Sequence, residues 1–226
     1  HLLNQSSDWH GNLFGINHWE DRPDRRKNID DWRTEAQREP GTYYKYNDVR
    51  VNVLAYSLLQ VYRKSLPMVL KNYIMDPIGA SDSWRWYGYE NSWVNIDGLM
   101  VQSVSGGGHN GGGVFINSED HARFGLLYLN NGIWNDKKII SKDWIKKSIT
   151  PSKTNPEYGY MWWINSEKGE DYATSDWKNV PTNVYYGAGF GGNYVVIIPD
   201  ENMIVVGRWL GRETIGTFIQ MILESK

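Results

Sequence analysis

Residues 185–209 read YYGAGFGGNYVVIIPDENMIVVGRW. Two apolar runs flank Pro199-Asp200-Glu201-Asn202, which predicts a glycine-broken strand, a short turn and a second strand. A C-terminal helix follows. Gly187, Gly189, Gly191 and Gly192 crowd the entrance of the first strand. Glycine gives a strand nothing to pack, so it marks either a bulge or a place where a ligand must lie against the main chain. Both readings stand on this segment alone: a bulged hairpin without chemistry, or a substrate-binding and oxyanion-stabilising strand.

Upstream the periodicity changes. Val49, Val53, Tyr56, Leu59 and Tyr62 recur at spacings of three or four, which predicts an amphipathic helix over residues 49–64 with Asp48 as its N-cap. A second helix is expected over residues 66–74, stopping before Pro77-Ile78-Gly79-Ala80. Ser118-Glu119-Asp120 opens a third, with Ala122, Phe124, Leu126, Leu127 and Leu129 along it. Ser141 caps a short helix through Ile149, and residues 158–165 read as a strand. Residues 30–38 suggest a short helix ended by Pro40-Gly41, and the aromatic cluster at 84–93 a loop or short strand. Helices first and strands last give an α+β fold. The expected organisation is one domain over 1–226, with a mainly helical lobe over 1–150 and sheet strands plus the C-terminal helix over 151–226.

Composition narrows the function. The 226 residues suffice for one large domain, and a formal net charge of −2 leaves no basic footprint for nucleic acid. No apolar run reaches the roughly 18 residues that a membrane span needs. Cysteine is absent, which excludes thiol nucleophiles, disulfides and cysteine-based zinc sites. His10 and His18 lack metal-ligand spacing, no metal or cofactor is implied, and no Gly-rich loop is followed by Lys-Ser/Thr for phosphate. The 12 Trp and 15 Tyr suit a binding cleft or a core of large rings, and flat rings also suit sugar faces.

Five pieces together resemble one family. They are HLLNQSSDW at 1–9, PGTYYKYNDVRVNVLAYSLL at 40–59, DPIGA at 76–80, GGGVFINSEDHARFGLLYLNNGIW at 111–134 and GAGFGGNYVVIIPDENMIVVGRW at 187–209. In this order they resemble the serine β-lactamase and penicillin-binding-protein superfamily, on its class C-like branch of esterases and related hydrolases. The resemblance implies a β-lactamase/transpeptidase-like fold, an antiparallel sheet flanked by helices plus a helical lobe. It also implies acyl transfer to a serine of a Ser-x-x-Lys motif, assisted by a tyrosine of a Tyr-x-Asn motif. A glycine-containing edge strand then holds the substrate and supplies an oxyanion-hole N–H. Export or a periplasmic location would follow, with a small-molecule acyl substrate.

On this sequence Tyr46-Asn47-Asp48 stands at Tyr-x-Asn, with Asp in the third place. Tyr46 and Asp48 are the catalytic candidates, although Asp48 also reads simply as the helix cap. Gly187-Ala188-Gly189 stands where Lys-Thr-Gly or its His variant is expected, so the usual basic partner of a substrate carboxylate is missing. Gly187, Ala188, Gly189 and Phe190 are the substrate and oxyanion candidates, with Gly189 and Phe190 favoured for main-chain contacts. His109 between two triple-glycine runs reads as a proton carrier, a polar anchor or a tolerated loop residue. Trp86, with its aromatic neighbours, reads as cleft wall or as packing. His121 reads as structural, and Arg208-Trp209 ends the second strand near the expected site mouth.

The nucleophile is the gap in this pattern. The string Ser175-Asp176-Trp177-Lys178 follows the tyrosine motif instead of preceding it and sits in a polar stretch. A nucleophile helix needs apolar residues to bury the lysine and lower its pKa. The resemblance therefore places the serine helix upstream of this chain, and a sheet without its first strands would expose an edge for a dimer or fragment complex to cover. The other reading of the same fold is a catalytically inactive ligand- or peptidoglycan-binding module.

Overall fold

Strand alternation decides how the sheet is buried. In the computed structural model, which describes residues 1–21, 28–106, 112–166, 177 and 179–225, the chain forms two compact units. One comprises residues 1–70 and 85–115, the other 71–84 and 116–226. This division runs along other lines than residue 150, because two helices of the first 150 residues pack on the carboxy-terminal sheet.

The first unit opens with a small hairpin of β1 (Asn12–Leu13) and β2 (Ile16–Asn17), then α1 (Ile29–Arg33), α2 (Asp48–Tyr62) and α3 (Leu66–Leu70). Its sheet is antiparallel, β3 (Arg85–Ile96), β4 (Leu99–Val104) and β5 (Gly113–Phe115), in the order β4-β3-β5. The aromatic cluster at 84–93 is thus the start of a 12-residue strand, not a loop. Its partner is reached through Asp97-Gly98, both at positive φ, the dipeptide that a tight two-residue hairpin demands. Ala55 and Leu59 of α2 meet Leu66, Ile96 and Val104 to form the core of this unit.

The second unit contains α4 (Ser118–Leu129), the β6 (Ile133–Trp134) and β7 (Lys137–Lys138) hairpin, and α5 (Lys142–Ser148). Then come β8 (Trp163–Ile164), β9 (Tyr185–Gly189), β10 (Asn193–Ile198), β11 (Met203–Gly207) and α6 (Arg212–Glu224). The sheet order is β11-β10-β9-β8, antiparallel throughout. The run Tyr194–Ile198 is buried on both faces and alternates cleanly. Tyr194, Val196 and Ile198 pack with Ile215 and Ile219 of α6, while Val195 and Ile197 pack with Tyr128 of α4 and Ile145 of α5. A strand covered on both sides reads as an unbroken apolar run, which is why residues 194–198 carry no polar position.

Several boundaries differ from those the sequence predicts. The α2 cap is Asn47, whose side chain accepts from the Arg50 amide, and Asp48 is the first helical residue. Likewise Asn117, not Ser118, caps α4 by accepting from the Asp120 amide. Asparagine is as good a cap as aspartate or serine, so tertiary anchoring chose between neighbours. Ser141 caps α5 as expected. The helix expected over 66–74 is α3 followed by one π-helical turn, Lys71–Met75. Of the strand expected over 158–165, Trp163–Ile164 pairs as a ladder.

Gly125 sets the seat of α4 on the sheet. A Cβ there would lie 2.9 Å from Val195 and 3.0 Å from Ile204. Gly125→Leu gains up to about 1 kcal/mol of helix propensity but overpacks this contact by about 1–3 kcal/mol. Thermal unfolding should therefore show a lowered Tm, and an unchanged or raised Tm would show that the α4 seat yields.

Candidate active site

The amino-terminal segment is folded so that it can grip the start of α2. Gln5 and Asp8 take left-handed backbone conformations, and residues 5–8 are all buried. The Gln5 carbonyl accepts from the Lys45 amide at 3.0 Å, and the Gln5 side-chain Oε1 accepts from the Asn47 amide at 3.1 Å. Both neighbours of Tyr46 are therefore pinned by one residue. Asn47 does two further jobs, capping α2 and donating Nδ2 to the His18 carbonyl at 2.7 Å. The Asp48 amide donates to Asp21 Oδ2 at 2.6 Å, and Asp48 itself is buried in the first turn of α2. Tyr46 sits half-buried between these anchors, on a backbone held from both sides.

A buried ion pair locks this arrangement. Arg50 Nη2 donates to Asp8 Oδ1 at 2.8 Å, with both side chains 2% exposed. Arg50 Nε also donates to the Trp9 carbonyl at 3.2 Å, and the Arg38 amide donates to Asp8 Oδ2 at 2.7 Å. Burial pushes the Asp8 carboxyl up, but the Arg38 amide and the Arg50 guanidinium more than offset it and hold it below the usual carboxylate range. Burial lowers the Arg50 pKa, with Asp8 opposing. One turn along α2, Asn52 accepts from the Gly106 amide at 3.0 Å and donates to Tyr89 Oη at 2.9 Å. The helix thereby fixes the root of the glycine run that carries His109. His109 itself lies outside the described residues, as do Ser175 and Lys178.

In the second unit the glycine strand changes character along its length. Tyr185 and Tyr186 pair with β8, whereas Gly187, Ala188 and Gly189 extend beyond it. Among the described residues no strand covers their outer edge. Backbone parity fixes which groups face that edge. The Val184 carbonyl accepts from the Asn165 amide on the β8 side, and the Gly189 carbonyl accepts from the Gly192 amide on the β10 side. Alternation then turns the N–H and C=O of Ala188 outward and those of Gly187 and Gly189 toward β10. Phe190 lies past the strand in the β9–β10 turn, with its carbonyl accepting from Asn193 Nδ2 at 2.7 Å. Its ring is 85% exposed.

The turn beyond is built by close approach. Gly191 and Gly192 have positive φ, and a Cβ on Gly192 would lie 1.9 Å from the Leu210 carbonyl oxygen. Trp209 lies over Gly191, so the β11 exit and the β9–β10 turn are packed together. Arg208 precedes that tryptophan. Its Nη1 lies 3.0 Å from His121 Nδ1 and its Nη2 donates to the Ile116 carbonyl at 3.3 Å. Burial, reinforced by Arg208, lowers the His121 pKa to about 4, so the ring is neutral at pH 7 and its Nδ1 accepts.

Trp86 takes a packing place. It lies against the core of the first unit and donates Nε1 to the Ser105 carbonyl at 2.8 Å. The residues that sequence reasoning passed over are Gln5, Arg50 and Asn52, whose partners are up to 54 positions away. The polar insertion Arg50-Val51-Asn52 inside an otherwise apolar helix start was the available signal. Among the described residues no three His, Cys, Asp or Glu side chains gather as a metal site, and no helix is long and apolar enough to cross a membrane.

Comparison with known proteins adds a family. Residues 1–207 match the beta-lactamase family. No curated protein matches in sequence. Among solved structures, a beta-lactamase from Mycobacterium bovis superposes with a TM-score of 0.64 at 16% identity, covering 99% of this chain and 72% of that one. A protein assigned as a 6-aminohexanoate-dimer hydrolase from Bacillus anthracis gives 0.60 at 20% identity over 84% of this chain and 45% of its own length. EstCE1, a hydrolase with promiscuous acyltransferase activity, gives 0.60 at 14% identity, covering 99% of this chain and 70% of that one. The chain thus spans less than half of one neighbour and about seven-tenths of the other two.

The Asp8 carboxylate ties stability to pH. Its folded pKa is depressed, so its contribution is present above the unfolded value of about 3.9 and is lost as pH falls through the lower folded value. Asp8→Asn leaves Arg50 buried without a counter-charge and should cost about 3–5 kcal/mol at pH 7. In urea melts the wild type should lose stability steeply below about pH 4, and the variant less so. Parallel pH profiles would remove Asp8 from this role.

Proposed function

The chain belongs to the beta-lactamase family, and from that premise we propose that it forms part of a serine hydrolase. The enzyme works through an acyl-enzyme on an ester, amide or lactam. The observation that carries this reading is the outer edge of β9 at Gly187, Ala188 and Gly189, which no strand covers among the described residues. Ala188 turns a backbone N–H and C=O to this open edge, and Phe190 opens the exposed turn that follows. Such an edge accepts an extended acyl group along its main chain and offers an N–H to a developing oxyanion.

Tyr46 is the proton-transfer residue in this reading. It needs a fixed position more than a fixed charge, and the Gln5 clamp on both its neighbours supplies one. Asp48 replaces the amide of the family motif with a carboxylate, which adds an acceptor and removes a donor beside the tyrosine. The attacking serine belongs to a Ser-x-x-Lys helix outside residues 1–226. The string Ser175-Asp176-Trp177-Lys178 is not assigned this role, because it follows the tyrosine motif in sequence instead of preceding it. The neighbours include proteins described as a 6-aminohexanoate-dimer hydrolase and a hydrolase with promiscuous acyltransferase activity, which supports an ester or amide as the substrate class.

In the full-length protein, Tyr46→Phe should lower turnover of a nitrophenyl ester by about 10²-fold or more, with unfolding unchanged. An unaltered rate removes Tyr46 from the chemistry. A fluorophosphonate or a fluorescent penicillin should form a covalent adduct. The absence of any adduct with both probes would instead support a binding module that has kept the cleft and lost the reaction.

A further inference from the structure

Strand β9 lacks the basic residue that would meet a substrate carboxylate, yet the same end of the sheet holds a cation that the fold leaves only partly engaged. Gly189 pairs with Asn193, and Tyr194 pairs with Gly207, so Arg208 stands level with the β9 terminus two strands away. At the usual strand spacing that is about 10 Å of main-chain separation. The two partners seen for its guanidinium are the His121 ring nitrogen and the Ile116 carbonyl, both neutral. Among the described residues no carboxylate forms an ion pair with Arg208. This sets it apart from Arg50 and Arg123, which pair with Asp8 and Asp120.

A guanidinium carries five N–H donors in a planar fork. Two are spent on neutral acceptors that orient the group without cancelling its charge. The rest of the fork matches the geometry of a carboxylate. His121 fits the orienting role because its ring, enclosed between α4 and the end of β11, accepts through Nδ1 and carries no competing charge at pH 7. Arg208 is also half-buried, which strengthens its pull on an anion relative to a fully solvated side chain. Trp209 and Phe190, both highly exposed, flank the same turn and give an apolar surface beside the charge.

We propose that Arg208, positioned by His121, is the carboxylate-recognition residue of this protein, so that its preferred substrates are esters or amides whose acyl part ends in a carboxylate. This rests on the reading of β9 as the substrate strand. It answers the absence of the usual basic partner from β9: the charge is moved to the end of β11 and not lost.

The test uses the full-length protein and two matched nitrophenyl esters, the neutral butyrate and the anionic hemiglutarate. The readout is the ratio of kcat/KM for the anionic over the neutral ester. In parallel, calorimetry measures binding of glutaric acid monoanilide, which needs no turnover. Arg208→Gln should lower the ratio by about 10- to 100-fold, the range for losing a charged hydrogen-bond partner, with the loss mainly in KM. Arg208→Lys, which keeps the charge but not the fork, should fall between. Anilide affinity should weaken in step, and melting curves identify any variant that fails to fold. An unchanged ratio and an unchanged anilide affinity in both variants overturn the proposal, as does a wild type that neither prefers the anionic ester nor binds the anilide. If neither ester is cleaved but the anilide binds in an Arg208-dependent way, the recognition role stands and the acyl-transfer reading falls.

Discussion

The pairing of Arg50 with Asp8 is the interaction on which the first unit turns. It joins residues 42 positions apart and is buried on both sides. Buried ion pairs add little net stability, because desolvation consumes most of the Coulombic gain. What this pair supplies is uniqueness. Two left-handed residues, Gln5 and Asp8, bend the amino-terminal segment into a shape that the pair, the Gln5 bonds and the Arg38 amide bond to Asp8 hold. With them in place, the backbone on both sides of Tyr46 has one position.

The second unit solves a different problem by packing. Five consecutive residues of β10 divide between two helical layers, and each neighbouring strand is joined by a short turn. The rigidity of β10 lets β9 be glycine-rich. Gly187 contributes no side chain to the sheet, and a Cβ there would press Val195 at 3.2 Å, so its neighbour is held by backbone pairing with β10 instead. A weak strand is stable here because it lies against a strong one.

The fold was largely legible in the sequence because its signals are local. The apolar run 194–198, the three-and-four spacing along α2 and the turn at 199–202 each report on their own neighbourhood. Cap positions were off by one, since Asn47 and Asp48, or Asn117 and Ser118, are equivalent on propensity and differ only in what lies across from them. The long strand β3 was hidden by its bulge between Gly88 and Trp93, which breaks the period of two. Of the site, the glycine strand and the tyrosine motif were readable as patterns. The clamp by Gln5, the reach of Arg50 and the bond from Arg208 to His121, 87 positions apart, were not. Such contacts arise from chain reversals that no window of sequence contains.

The short reach of β8 along β9 has a consequence for solubility. An open strand edge is the surface on which proteins template one another into fibrils. Here the open part is Gly187, Ala188 and Gly189, residues with little tendency to form sheet and no side chain large enough to interlock with a second copy. Glycines at Gly191 and Gly192 then turn the chain away within three residues. The same composition that lets a small ligand lie along the main chain thus denies a foothold to a whole strand, and disfavours self-assembly along this stretch of edge.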